Sequence, residues 1–112
     1  VRIAIPLSGK TLSSHFGHCE QFAFVEVDDQ AWQVKGVTFV QPPPHQPGLL
    51  PRWLHEQGVT TVIAGGMGPR AQQLLSELGI DVILGATGLH PEKLAADYLA
   101  GQLAIGENRC SH

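Results

Sequence analysis

The second half of the chain repeats one unit, and that repetition narrows the fold more than any other feature. Val59 to Ala64 (VTTVIA) is a short β-branched run, Gly65-Gly66 stops it, and Pro69 to Leu78 then carries Ala71, Leu74, Leu75 and Leu78 at helical spacing. Ile80 to Leu84 (IDVIL) begins the pattern again. Gly85 to Gly88 (GATG) breaks it, and Pro91 to Leu99 (PEKLAADYL) opens a helix with proline at its start and an acidic residue in the first turn. Strand, glycine turn and helix in succession require right-handed crossovers, parallel strands and helices over the sheet faces. No sequence repeat beyond this alternation is evident.

The first half reads differently. Arg2 to Leu7 (RIAIPL), Gln21 to Val27 (QFAFVEV) and Ala31 to Val40 (AWQVKGVTFV) have strand character, and the last two form a hairpin about Asp28-Asp29-Gln30, with Gly36 expected at a bulge. Pro6 fits a strand position whose backbone donor the sheet does not need. Gln41 to Gly48 (QPPPHQPG) holds four prolines and is neither helix nor paired strand. Leu49 to Gln57 has Leu50, Trp53 and Leu54 at helical spacing, and Gly58 ends it. The expected fold is α/β, with a mixed five-stranded sheet, helices on both faces and element order β-β-β-α-β-α-β-α, the middle strand of the first three running antiparallel to its neighbours.

A chain of 112 residues accommodates one core, so residues 1–112 are expected to form a single domain. The 43% hydrophobic content against 15% charged is enough to build it. A formal charge of −3 offers no field for a phosphate backbone, which argues against nucleic acid as a partner. No apolar run approaches the roughly 20 residues of a bilayer crossing, and VRIAIPLSG lacks the pattern of a signal peptide. A cytoplasmic protein with no membrane partner is expected, and its two cysteines read as free thiols or ligands.

In an open sheet, ligands gather outside the carboxyl ends of the parallel strands. Four loops would converge there: Ser8 to Cys19, the proline loop with His45, Gly65 to Arg70 (GGMGPR) and Gly85 to His90. His15, His18 and Cys19 place two imidazoles and a thiol within five residues, a donor set suited to soft or borderline metals. The same residues also suit solvated imidazoles beside a buried thiol. Gly65, Gly66 and Gly68 lead a strand into a helix, where amide donors and the positive helix end favour an anion and Arg70 adds charge. A tight turn that needs only glycine explains them equally well. Cys110 and His112, two residues apart, form a weaker metal pair. Neither the P-loop nor the dinucleotide pattern is present. Ser13 and Ser14 precede His15, yet no acidic residue is placed to orient it, and Glu26, Asp28 and Asp29 cluster at a strand end and turn. No catalytic residue is assigned and no enzyme activity is expected.

HFGHC at 15 to 19, PPPHQPGLLPRWL at 42 to 54, VIAGGMGPRAQQLL at 62 to 75, GIDVILGATG at 79 to 88 and GENRCSH at 106 to 112 together resemble the dinitrogenase iron–molybdenum cofactor biosynthesis family. That family includes nitrogenase cofactor carriers and the orange protein, which holds a molybdenum–copper sulfide cluster. The resemblance spans nearly the whole chain. It implies a three-layer ribonuclease-H-like fold without nuclease activity, and a role in binding, storing or carrying a metal–sulfur cluster of the Mo/Fe or Mo/Cu sulfide type. It implies a mouth formed by His15, Phe16, Gly17, His18, Cys19, His45, Gly65, Gly66, Met67, Gly68 and Arg70; His15, His18, Cys19 and His45 are the candidate metal ligands there, with ligation through sulfur, through imidazole or through neither left open. Its implied partners are the inorganic cluster, a cluster-assembly ATPase and cofactor-assembly proteins. A metal-free regulatory or protein-interaction module serving iron–sulfur assembly is the competing reading, with Trp32 and Trp53 as its large apolar contact residues.

Overall fold

Arg2–Ser8 is the strand around which the molecule is organised, because it is apolar on both faces. In the computed structural model, which describes residues 1–9, 11–12, 16, 19–43, 48–86 and 90–101, it is β1. The other strands are β2 (Thr11–Leu12), β3 (Gln21–Asp28), β4 (Gln33–Val40), β5 (Thr61–Ile63) and β6 (Asp81–Ile83). The helices are α1 (Leu49–Glu56), α2 (Pro69–Glu77) and α3 (Pro91–Leu99).

The sheet order is β4-β3-β1-β5-β6, with β2 attached to β1. β3 runs antiparallel to both β1 and β4, whereas β1, β5 and β6 are mutually parallel. The sheet is therefore mixed, and it has six strands where the sequence predicts five. The added strand, β2, is two residues long and lies inside the segment expected to be loop. It forms because Leu12 and Thr11 find open partners in Leu7 and Ser8, past the last β1–β5 pair at Ala4 and Val62. Tertiary pairing creates it, and local propensity does not.

Pro6 obeys the same geometry. Leu7 accepts from the Glu20 amide on the β3 side, and Arg2 accepts from the Thr60 amide on the β5 side. Backbone polar groups alternate sides along a strand. The missing donor of Pro6 therefore falls on the β5 side, beyond the end of that ladder.

Alternation along β1 and β3 divides the core in two. Ala4, Phe22, Phe24 and Val62 face Leu54 of α1 and Leu75 of α2, while Ile3, Ile5, Leu7, Ala23, Val25 and Ile63 face Leu94 and Ala95 of α3. Helices thus cover both faces. On the first face, large cross-strand neighbours fill the space beside small ones: Phe24 opposite Ala4 and Phe22 opposite Pro6. Trp53 packs on both phenyl rings, with centroids at 5.8 and 5.7 Å. Its indole is half-buried in the core, so it does not form the exposed patch considered above. Among the described residues, the exposed large apolar side chains are Val1 (37%), Trp32 (46%) and Phe39 (53%).

Helices α1 and α2 end alike. After α1, Gly58 takes φ 78° and donates to the His55 carbonyl, while Val59 donates to Leu54. After α2, Gly79 takes φ 77° and donates to Ser76, while Ile80 donates to Leu75. These are Schellman endings, in which a left-handed residue satisfies the last carbonyls and brings two apolar side chains together. The sequences Leu54-His-Glu-Gln-Gly-Val59 and Leu75-Ser-Glu-Leu-Gly-Ile80 carry this device twice. Each turn delivers the chain directly into β5 or β6.

The predicted bulge lies in β4. Register shifts between Glu26, opposite Gly36, and Val27, opposite Val34, which leaves Lys35 as the extra residue. In the hairpin turn one Asp28 carboxylate oxygen accepts from the Gln30 and Ala31 amides at 2.9 and 3.1 Å. Those bonds favour the ionised form and lower the Asp28 pKa.

Candidate functional site

β1, β5 and β6 are parallel and β4 runs in the same sense, so the segments leaving all four emerge at one rim. Backbone bonds lace this rim together. The Ala64 carbonyl accepts from the Ala86 amide at 3.2 Å, and the Gly65 carbonyl accepts from Gly85, also at 3.2 Å. The Gly66 carbonyl accepts from the Phe16 amide at 3.1 Å. Gly85 sits at φ 74°, a conformation that glycine adopts without a Cβ penalty.

The bond from Phe16 to Gly66 joins the imidazole-and-thiol segment to the glycine segment, two stretches some fifty residues apart that the sequence alone could not connect. Side chains reinforce it. Phe16 is 3% exposed and Met67 1%, both in the same core cluster, and Cys19 packs against that cluster half-buried. The Phe16 ring meets Phe22 edge-on, centroids 5.9 Å apart and planes at 70°, an arrangement that aligns ring edge with ring face. Among the described residues, the rim on the α1/α2 side therefore holds Phe16, Cys19, Gly65, Gly66, Met67 and Gly68.

Its electrostatics favour an anion. Helix α2 starts here with Gly68 at its N-cap, which offers no side chain to satisfy the first amides, and it has no acidic residue in its first turn. Helix α3, by contrast, carries Glu92 in its first turn. Arg70, the second residue of α2, is exposed, and no carboxylate among the described residues pairs with it. Burial pushes the Cys19 thiol up to about 11, so at neutral pH it is protonated. A metal would have to displace that proton before sulfur could ligate it.

The other predicted site residues, His15, Gly17, His18, His45, Cys110 and His112, lie outside the described residues. Within the described ones, no three of His, Cys, Asp and Glu come together. Glu26, Asp28 and Asp29 lie at the opposite rim, where β3 ends. There Glu26 pairs with Arg2, whose guanidinium also donates to the Gln57 carbonyl and lies 5.7 Å from the Phe24 ring centroid. Two features were missed in the sequence. One is Gln72, whose side-chain amide donates to the Met67 carbonyl at 2.9 Å; a glutamine one turn after an N-cap glycine was the available signal. The other is a groove of about 600 Å³ on the α3 side, lined by Phe39, His90, Pro91, Glu92 and Lys93.

The class defined by this architecture is a small α/β domain with a mixed sheet and a loop-built rim. The sequence profile described as dinitrogenase iron-molybdenum cofactor matches residues 1–101, and the chain belongs to that family. An uncharacterized protein of Methanocaldococcus jannaschii, MJ0580, is 32% identical over 87 residues, covering 73% of this chain and 72% of its own. The crystal structure of PH0822 superposes with a TM-score of 0.86 at 31% identity, covering 94% of each chain. The apo form of the orange protein from Desulfovibrio gigas shares the fold, with a TM-score of 0.74 at 24% identity over 96% of this chain and 93% of its own. Among the described residues, no helix is long and apolar enough to cross a membrane.

Proposed function

We propose that the rim binds and carries an anionic metal–sulfur cluster of the Mo/Fe or Mo/Cu sulfide type during cofactor assembly, in the cytoplasm and without turnover. The observation that carries this reading is the Phe16–Gly66 hydrogen bond, because it gathers soft side chains and anion-favouring amides at one opening. A sulfide cluster presents a polarisable, weakly hydrated surface with net negative charge. The half-buried Cys19 sulfur suits the first property, with Phe16 and Met67 buried in the core beneath it, and the α2 terminus and Arg70 suit the second. With so few soft donors, the cluster is retained chiefly by its surroundings, with Cys19, His15, His18 and His45 supplying at most a bond or two. That retention suits a carrier that hands its cargo to cofactor-assembly proteins or a cluster-assembly ATPase. The strand order around β1 supports the ribonuclease-H-like assignment of the fold.

The test is anaerobic addition of tetrathiomolybdate and copper(I) to apo-protein, followed by gel filtration. A charge-transfer band that co-elutes at fixed stoichiometry, and that weakens when His15, His18 and Cys19 are replaced, is expected. If no colour is retained and those replacements change nothing, the carrier reading fails. A second reading, a metal-free interaction module, is favoured by the exposed Phe39 beside the α3 groove. It predicts that a purified assembly partner binds equally well with metal chelated, and that Phe39→Ser abolishes that binding.

A further inference from the structure

We propose that Gln72 is a positioning residue for the rim, holding the Met67–Gly68 peptide so that its N–H faces the anion; this rests on the cluster reading above. Four consecutive carbonyls, Ala64 to Met67, are each held by a donor from another segment or from α2. Three of those donors are backbone amides, which any sequence could supply. The fourth is a side chain that this sequence supplies at one position.

Gln72 lies one turn into α2 and acts at both ends of the Gly68 residue. Its backbone amide donates to the Gly68 carbonyl at 3.2 Å, opening the helix, and its side-chain amide donates to the Met67 carbonyl at 2.9 Å. No peptide bond in the described chain is cis. In a trans peptide the carbonyl and the following N–H point in opposite directions. With the Met67 carbonyl held by the Gln72 side chain on α2, the Gly68 N–H points the opposite way, away from that side chain. Among the described residues, no backbone or side-chain acceptor takes that N–H.

The clamp is needed because of the residue it acts on. Glycine tolerates both orientations of the peptide that precedes it. A flipped Met67–Gly68 peptide would present a carbonyl oxygen to the cluster in place of the N–H, replacing attraction with repulsion. The Gln72 amide selects the attractive state before the ligand arrives, which is the sense in which it positions without touching.

The experiment compares wild type, Gln72→Met and Gln73→Met, with tetrathiomolybdate alone as the probe, read by absorbance titration and by the Gly68 amide resonance in 15N-edited spectra. Methionine matches glutamine in length and adds no charge. Gln73 is an exposed neighbour whose side chain, among the described residues, bonds Glu77 alone. Expected is affinity about 5-fold weaker for Gln72→Met, the net worth of roughly one hydrogen bond, with no change for Gln73→Met. The free Gly68 resonance should split or broaden in Gln72→Met alone, since a purely structural role would not produce two peptide orientations. Equal affinity, or a Gly68 resonance unmoved by the substitution, overturns the role of Gln72 and leaves the cluster reading standing. Failure of wild type to bind the probe overturns the cluster reading and this role with it.

Discussion

Replacing Phe16 by alanine separates anchoring of the rim from its chemistry, because the ring does structural work and carries no charge. Phe16 is 3% exposed and stacks edge-on against Phe22. Truncating a buried phenylalanine to alanine costs about 3–5 kcal/mol, of which the aromatic pair supplies about 0.5–1.5. Phe16 lies near the rim and not at the centre of the core, so the lower end, about 3 kcal/mol, is expected. At about 4 °C per kcal/mol for a domain of this size, the melting temperature should fall by about 12 °C. Phe16→Leu keeps most of the volume and should cost about 1 kcal/mol. Urea unfolding followed by tryptophan fluorescence measures both, since Trp53 packs on the same aromatic cluster. A loss below about 1 kcal/mol for Phe16→Ala would mean that the ring does not hold the rim to the core, and the link between the two segments would lose its basis.

Gly58→Ala and Gly79→Ala should each destabilise by about 1–2 kcal/mol in chemical denaturation, purely through backbone strain, since an added Cβ meets nothing within 4 Å at either position. Gly36, equally uncrowded and without a left-handed φ, should tolerate alanine at no cost. With its pKa raised, Cys19 should alkylate about 100-fold more slowly at pH 8 than an ordinary thiol, as peptide mapping would reveal. The folded state keeps the Cys19 proton that the unfolded chain gives up near pH 9, so stability should fall from about pH 9 towards 11, and Cys19→Ala should remove that dependence. The Asp28 shift has the opposite sign: its contribution is present at neutral pH and is lost as pH falls below 3.8, and Asp28→Asn, which retains an acceptor, should flatten that acid limb. Arg70→Gln should weaken tetrathiomolybdate binding several-fold at low salt and leave the melting temperature unchanged, because the exposed guanidinium acts on the ligand and not on the core.

Where one residue type admits one local solution, the sequence was legible. Proline at 91 and an apolar period of three to four defined α3 over the span found, and Gly58 after an apolar run marked the end of α1. Proximity was harder. β2 exists only because β1 outruns β5, and the status of Trp53 depended on two phenylalanines brought beside it by β3. Convergence of the loops at one rim followed from parallel topology, whereas the contact between Phe16 and Gly66 and the clamp by Gln72 are single hydrogen bonds between distant or unmatched groups. No periodicity encodes these. The repeated Leu-x-Glu-x-Gly-Val/Ile endings were present in the sequence but escape a search for whole-unit repeats, since only the turn is repeated and not the helix.

Backbone amide shifts on titrating 15N-labelled protein with a molybdenum–copper sulfide cluster address the site most directly. The account predicts changes concentrated at Phe16, Cys19, Gly66 and Gly68, with the Asp28 to Gln33 hairpin at the far rim silent. Shifts centred on that hairpin, or on Phe39 and the start of α3, would contradict it.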